Sequence, residues 1–278
     1  MTSVENDIKF ILNMYKTVLK SRLARILIIY YLILFFWWLK IYISGVRETQ
    51  ENYLFGFIYA FIALAGGVNG LLISKKWGGV KSYVGRGLIY FSLGLLGEWF
   101  GQTTWTYYNV IQKIEVPYPS IADIGYFSII PLYALGVISL AKATGAKFKL
   151  RTMWGKLIIV LIPIIMVIIS FNLFLQELSV DITNPIRTFL DFGYPLGEAV
   201  TISITLVVYE FSRGVLGGKM KNRILFILIA LFTQYITDFT FLYKAGLGTY
   251  YNSGPVDLMY TTSFLITSLA LIGFNSYD

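Results

Sequence analysis

Eight apolar stretches run through this chain of 278 residues, at about 24–44, 53–74, 85–108, 121–142, 154–176, 186–211, 223–244 and 255–275. Each is close to the roughly 20 residues that a helix needs to cross a bilayer. Backbone in hydrocarbon must satisfy its own hydrogen bonds, so spanning segments are helices or closed barrels, and runs of this length specify helices. Turn signals separate them, among them Gly78-Gly79, Asn184-Pro185, Gly217-Gly218 and Gly254-Pro255. The expectation is an all-α polytopic membrane helix bundle: an N-terminal segment over 1–23, then eight transmembrane helices over 24–275. Composition agrees, with 56% hydrophobic and only 14% charged residues, against about 25% charged in soluble domains. The first stretch is long and lacks a small-residue cleavage pattern, so it reads as a span rather than a signal peptide.

The basic residues set the orientation. Lys9, Lys16, Lys20, Arg22 and Arg25 precede helix 1, and Lys75, Lys76, Lys81 and Arg86 lie between helices 2 and 3. Lys142, Lys147, Lys149, Arg151 and Lys156 lie between helices 4 and 5, and Arg213, Lys219, Lys221 and Arg223 between helices 6 and 7. Of the 23 Lys and Arg, the opposite side keeps only Lys40, Arg47, Lys113, Arg187 and Lys244. By the positive-inside rule both termini are cytoplasmic, in a multi-pass protein of the cell membrane. The same rule accounts for the net charge of +8 without any nucleic-acid binding. In the N-terminal arm, Ile8, Ile11, Leu12, Tyr15, Val18 and Leu19 recur at helical spacing with Lys9, Lys16 and Lys20 outside the stripe. That pattern describes an amphipathic basic helix lying on the lipids of the inner leaflet, or a docking surface for a partner.

Three copies of Asp-apolar-x-Tyr open apolar runs: Asp123-Ile-Gly-Tyr126, Asp191-Phe-Gly-Tyr194 and Asp257-Leu-Met-Tyr260. Their spacings of 68 and 66 residues suggest a duplicated helix-hairpin unit. Every copy opens an even-numbered helix, so the repeats share one orientation, unlike the inverted repeats of many carriers. Helix capping explains part of the pattern: Ser120-Ile-Ala-Asp123 has the form of a capping box, and Pro255 followed by Asp257 suits a helix start. Asp191 lies further into its helix, with Arg187 four residues before it as a partner.

Deeper in the spans stand Glu98, Glu198 and Asp238. Ionisable groups inside a bilayer cost at least a few kcal/mol and face the bundle interior. Asp191, Tyr194, Glu198, Thr201 and Thr205 share one face of helix 6; Glu98, Gln102, Trp105 and Asn109 share one of helix 3; Gln234 and Asp238 share one of helix 7. Gly87, Gly94 and Gly101 on helix 3 stand at heptad spacing, as close helix packing requires. The candidate ligand- or cation-binding set is therefore Glu98, Gln102, Asp191, Tyr194, Glu198, Gln234 and Asp238, lining a pocket in the outer half. A structural polar network tying helices 3, 6 and 7 together is the competing reading. The aromatics around Trp99, Trp105, Tyr107 and Tyr108 read equally as an interfacial belt or a ligand cage.

The sequence holds no Cys and no His, which excludes disulfides, thiol and imidazole catalysis, and the usual zinc and haem sites. No metal site, cofactor or catalytic residue is expected, and an enzyme ranks last among the functions.

Trp105-Thr-Tyr-Tyr108, Pro119-Ser120-Ile-Ala-Asp123-Ile-Gly-Tyr126, Pro131-Leu132 and Asn252-Ser-Gly254-Pro-Val-Asp257-Leu-Met-Tyr260 carry a resemblance. The segment is similar to the multi-pass membrane sensor region found N-terminal to GGDEF and EAL domains in bacterial cyclic-di-GMP signalling proteins. The resemblance covers roughly residues 50–275 and implies a sensory helical bundle. That family carries an output domain after the last helix, whereas this sequence ends at Asp278, so the expected output runs through a separate cytoplasmic or membrane protein. A sensor or receptor-like module is thus the first expectation. A cation- or proton-coupled transporter, channel or translocation-machinery subunit is the alternative.

Overall fold

The computed structural model describes residues 18–143, 153–175, 180–215 and 218–275, without the side chains of 212–221. The amphipathic arm read at residues 8–20 lies almost wholly outside them. Regular structure among the described residues is entirely helical. The helices are α1 (Arg22–Ser44), α2 (Gln50–Lys76), α3 (Tyr83–Thr106), α4 (Ala122–Ala143), α5 (Met153–Ser170), α6 (Pro185–Val215), α7 (Gly218–Gly246) and α8 (Pro255–Ile272). α3 and α5 each end in a π-helical turn, at Tyr107–Gln112 and Phe171–Leu175.

Local chemistry fixes the ends. Ser82 Oγ accepts from Gly85 N at 2.9 Å to start α3. Thr49 and Asn52 start α2 as a capping box, with Asn52 Oδ1 taking the Thr49 N–H at 3.1 Å. Gly45, at φ 67°, ends α1 in the left-handed conformation that glycine adopts without strain.

Seven of these helices are long and apolar enough to cross a membrane; α3 matches them in length but not in apolarity. α3 packs between α2 and α4, and glycines, Ser92, Glu98 and Gln102 take up much of its buried face, beside Leu88, Phe91 and Leu95.

Six helices close a ring in the order α2, α3, α4, α6, α7, α8, with α8 returning to α2. α1 lies outside against α2 and α8, and α5 lies outside against α6. α5 is the most apolar span and the least covered by protein, with Met166 and Ser170 as its buried contacts in the C-terminal half of its length. The tightest seam joins α3 to α4. A Cβ on Gly87, Gly94 or Gly101 would meet Leu140, Tyr133 or Tyr126 at 2.9, 2.1 and 2.7 Å respectively. Two antiparallel heptad series therefore mesh residue by residue, as the glycine spacing predicts.

The connections α1–α2, α3–α4 and α7–α8 meet at one end of the ring, where the three Asp motifs also lie. Trp38 Nε1 donates to Gly254 O at 3.1 Å, Asn52 Nδ2 to Asn252 O at 3.1 Å, and Trp105 Nε1 to Asn252 Oδ1 at 3.0 Å. At the opposite, basic end, Trp77 Nε1 donates to Phe274 O at 2.8 Å, and the Arg223 guanidinium sits over the Trp77 ring at 5.5 Å.

Candidate functional site

The motif aspartates are caps with a second task. Asp123 accepts from Ser120 N at 2.7 Å, as the capping box requires, and from Tyr194 Oη of α6 at 2.8 Å. Asp257 accepts from Ser253 N at 2.7 Å and from Tyr250 Oη at 3.0 Å. Burial, and then the Asp257 carboxylate, push the Tyr250 phenol well above its ordinary range and keep it a donor. Asp191 accepts from Tyr118 Oη at 2.9 Å and pairs loosely with Arg187 at 3.7 Å, the partner its spacing predicts.

Two of the three motif tyrosines bond inward. Tyr126 Oη donates to Gln102 Oε1 at 2.9 Å, and Tyr260 Oη donates to Asp238 Oδ1 at 2.9 Å. In both cases the last helix of a hairpin secures a polar side chain on the helix before it. Gly56 on α2 makes room for Gln102, whose Nε2 would lie 2.8 Å from a Cβ there.

At the ring's centre the deeper residues meet. Gln234 Nε2 donates to Glu98 Oε1 at 2.9 Å, and its second proton faces Asp238, with both carboxylate oxygens at 3.1 Å. Ser263 Oγ of α8 donates to Gln234 Oε1 at 2.6 Å. These bonds fix the amide's orientation, because a reversed amide would turn its oxygen onto two carboxylates. α3 and α7 stand on opposite sides of the ring, so this bridge crosses its axis. Glu98 is 2% exposed, Gln234 2%, Glu198 5% and Asp238 8%.

Glu198 comes to the same place from α6. Gly197 packs on Ile130, which a Cβ would meet at 2.8 Å, and Thr201 Oγ1 donates to Ile130 O at 3.3 Å. Both neighbouring acids, Asp238 and Glu98, act on Glu198 electrostatically. The ion pairs among the described residues are Lys40–Glu51 and Arg187–Asp191, both at the periphery. No group of three acids among the described residues is disposed to hold a metal ion.

The sequence-derived candidates thus divide into two levels. Glu98, Gln234, Asp238 and Glu198 gather at the centre, with Tyr260 attached. Asp191 and Tyr194 lie at the motif end, where their partners are Tyr118 and Asp123. A shallow cavity of about 210 Å³ opens at that end beside Tyr42, Lys244, Thr249, Tyr250 and Tyr251, none of them a candidate from the sequence. Two central residues were also missed. Ser263 sits one turn beyond Tyr260, on the face that Tyr260 already marks. Tyr133 sits seven residues beyond Tyr126, opposite the glycine seven before Gly101; both signals are present in the sequence.

No protein-family model, no curated protein and no solved structure matches the chain.

Proposed function

We propose that this chain is a non-enzymatic, eight-span cell-membrane protein with cytoplasmic termini, working as a sensor-like module whose signal is proton occupancy of the central carboxylates. It passes that state to separate partner proteins through its basic end. The observation that carries the reading is the Glu98–Gln234–Asp238 bridge across the ring, with no cationic side chain paired to it among the described residues. Uncompensated charge in a bilayer costs at least a few kcal/mol. Each proton gained or lost therefore changes the force between opposite ring helices. The absence of a metal-holding group among the described residues favours a proton over a metal cation, and the resemblance to membrane sensor regions supports a signalling role.

The architecture we infer is a duplication in one orientation, α1–α4 followed by α5–α8. Glu98 and Gln102 correspond to Gln234 and Asp238 at an offset of 136, and Asp123 and Tyr126 correspond to Asp257 and Tyr260 at an offset of 134. The outer helices α1 and α5 correspond as well. α3 then counts as a span whose partners are helices rather than lipid.

The test uses the full chain in lipid nanodiscs, followed by tryptophan fluorescence and by hydrogen exchange at the α2–α3 loop. Acidification should give a reversible transition that Asp238→Asn and Glu98→Gln both abolish. An unchanged transition in both variants defeats the reading. A proton-coupled carrier is the second reading, supported by Glu198, whose carboxylate has no hydrogen bond among the described residues; sustained proton flux in reconstituted vesicles would decide for it.

A further inference from the structure

One buried hydroxyl at the centre has no use in the network described so far. Tyr133 of α4 is 2% exposed, and its Oη has no hydrogen-bond partner among the described residues. Its ring lies on Gly94, one turn before Glu98, so closely that a Cβ there would fall 2.1 Å from Cε1. On its other flank, Ile130, one turn earlier on α4, receives Gly197 and Thr201, which bracket Glu198. The Tyr133 hydroxyl is thereby held between α3 and α6, within electrostatic reach of Glu98 first, then Asp238 and Glu198. An unsatisfied buried hydroxyl costs about 1–3 kcal/mol. Packing on Phe91 and Gly94 accounts for the ring but not for the hydroxyl, since phenylalanine would make the same contacts without that cost.

We propose that Tyr133, Glu98 and Glu198 bind one buried water molecule, and that this water makes the carboxylate cluster a specific proton site. The water accepts from Tyr133 Oη and donates to the two glutamates, giving the roughly three hydrogen bonds that buried waters make. When the site takes up a proton, the proton adds to one carboxylate oxygen to form a carboxylic O–H; no other covalent bond forms or breaks, and the cluster carries one negative charge fewer. In the ionised state the Tyr133 donor, relayed by the water, stabilises the negative charge, so Tyr133 sets the pH at which the site fills. The other titratable groups facing the cluster are Tyr59 of α2, Tyr126 of α4, Tyr235 of α7 and Tyr260 of α8, together with Asp238 itself. Tyr126 and Tyr260 already donate elsewhere.

This inference rests on the proton-occupancy reading, and one experiment separates the two. Infrared difference spectra of the full chain in nanodiscs, recorded between alkaline and acid pH, follow the carboxylic C=O band. The wild type should show such a band, and Tyr133→Phe should fill at about tenfold lower proton concentration, since a hydrogen bond to the ionised form has been lost. A Tyr133→Phe midpoint equal to the wild type's overturns the role of Tyr133 and leaves the proton reading standing. A wild type with no pH-dependent band overturns both. Sodium that moves the wild-type midpoint at constant ionic strength overturns specificity for the proton. Should Tyr133→Phe fail to fold, the wild type still decides: exchange into heavy-oxygen water should shift a band of a strongly hydrogen-bonded water, and its absence ends the proposal.

Discussion

The hairpins α3–α4 and α7–α8 carry the same kinds of polar residue in opposite order. α3 carries an acid and then an amide, Glu98 and Gln102; α7 carries an amide and then an acid, Gln234 and Asp238. Across the ring, acid therefore faces amide at the deeper level, where Gln234 bonds Glu98 directly at 2.9 Å. Two ionised acids at one level would repel in a low-dielectric interior, and the exchange sets an amide opposite Glu98 instead. The α5–α6 hairpin follows the same spacing with the polar pair removed: Met166 and Ser170 stand where the others carry acid and amide, and Ser170 Oγ donates only to Pro195 O at 3.2 Å. That hairpin's first helix lies outside the ring. A helix that does not face the centre keeps no acid.

The comparison can be broken most severely at the packing seam. Gly94→Leu should cost about 3 kcal/mol or lose the fold, because α3 must leave α4 to admit the side chain. Ala230→Leu, at the matching place on α7, should cost less, since a Cβ already fits there. Thermal unfolding in nanodiscs measures both, and equal losses would deny the seam its asymmetry. Next comes the pair of amides. Gln234→Leu leaves Glu98, Asp238 and Ser263 without a shared partner and should lower stability by about 2–4 kcal/mol. Gln102→Leu frees only Tyr126 and should cost about 1 kcal/mol. A reversed order would mean that the bridge across the ring contributes less than the bond within the hairpin. Smallest of all, Arg187→Ala should change stability by no more than about 0.5 kcal/mol, as expected for a 3.7 Å pair that is more than half exposed on the arginine side. A larger loss would show that Asp191 depends on Arg187 rather than on Tyr118.

Much of this was legible in the sequence, for reasons that differ by residue. Glu98, Gln234 and Asp238 were readable because a polar group in an apolar run has nowhere favourable to point except inward. The Gly87–Gly94–Gly101 series announced its seam, and the Ser120–Asp123 and Pro255–Asp257 pairs announced their caps. Asp191 and Tyr194 were grouped with Glu198 because they share a helical face. Angle about a helix axis says nothing of height along it, and each turn moves a side chain 5.4 Å. For Tyr133 the heptad spacing from Tyr126 gives its place opposite Gly94, but in an apolar run a tyrosine reads as bulk, and only the structure shows its hydroxyl without a partner among the described residues. Ring order was not readable at all, since hydropathy ranks segments by their affinity for lipid and not by the neighbours they will choose.

α8 has a further consequence for how the protein is made. It is the last ring helix to leave the ribosome, and it supplies Tyr260 and Ser263 while its flanking residues tie the structure to α1 and α2 through Trp38–Gly254, Asn52–Asn252 and Trp77–Phe274. Without it the ring would be an arc open between α7 and α2, and Gln234 Oε1 would lack its Ser263 donor. A nascent chain arrested before Pro255 would therefore hold most of the central polar residues without the helix that closes around them.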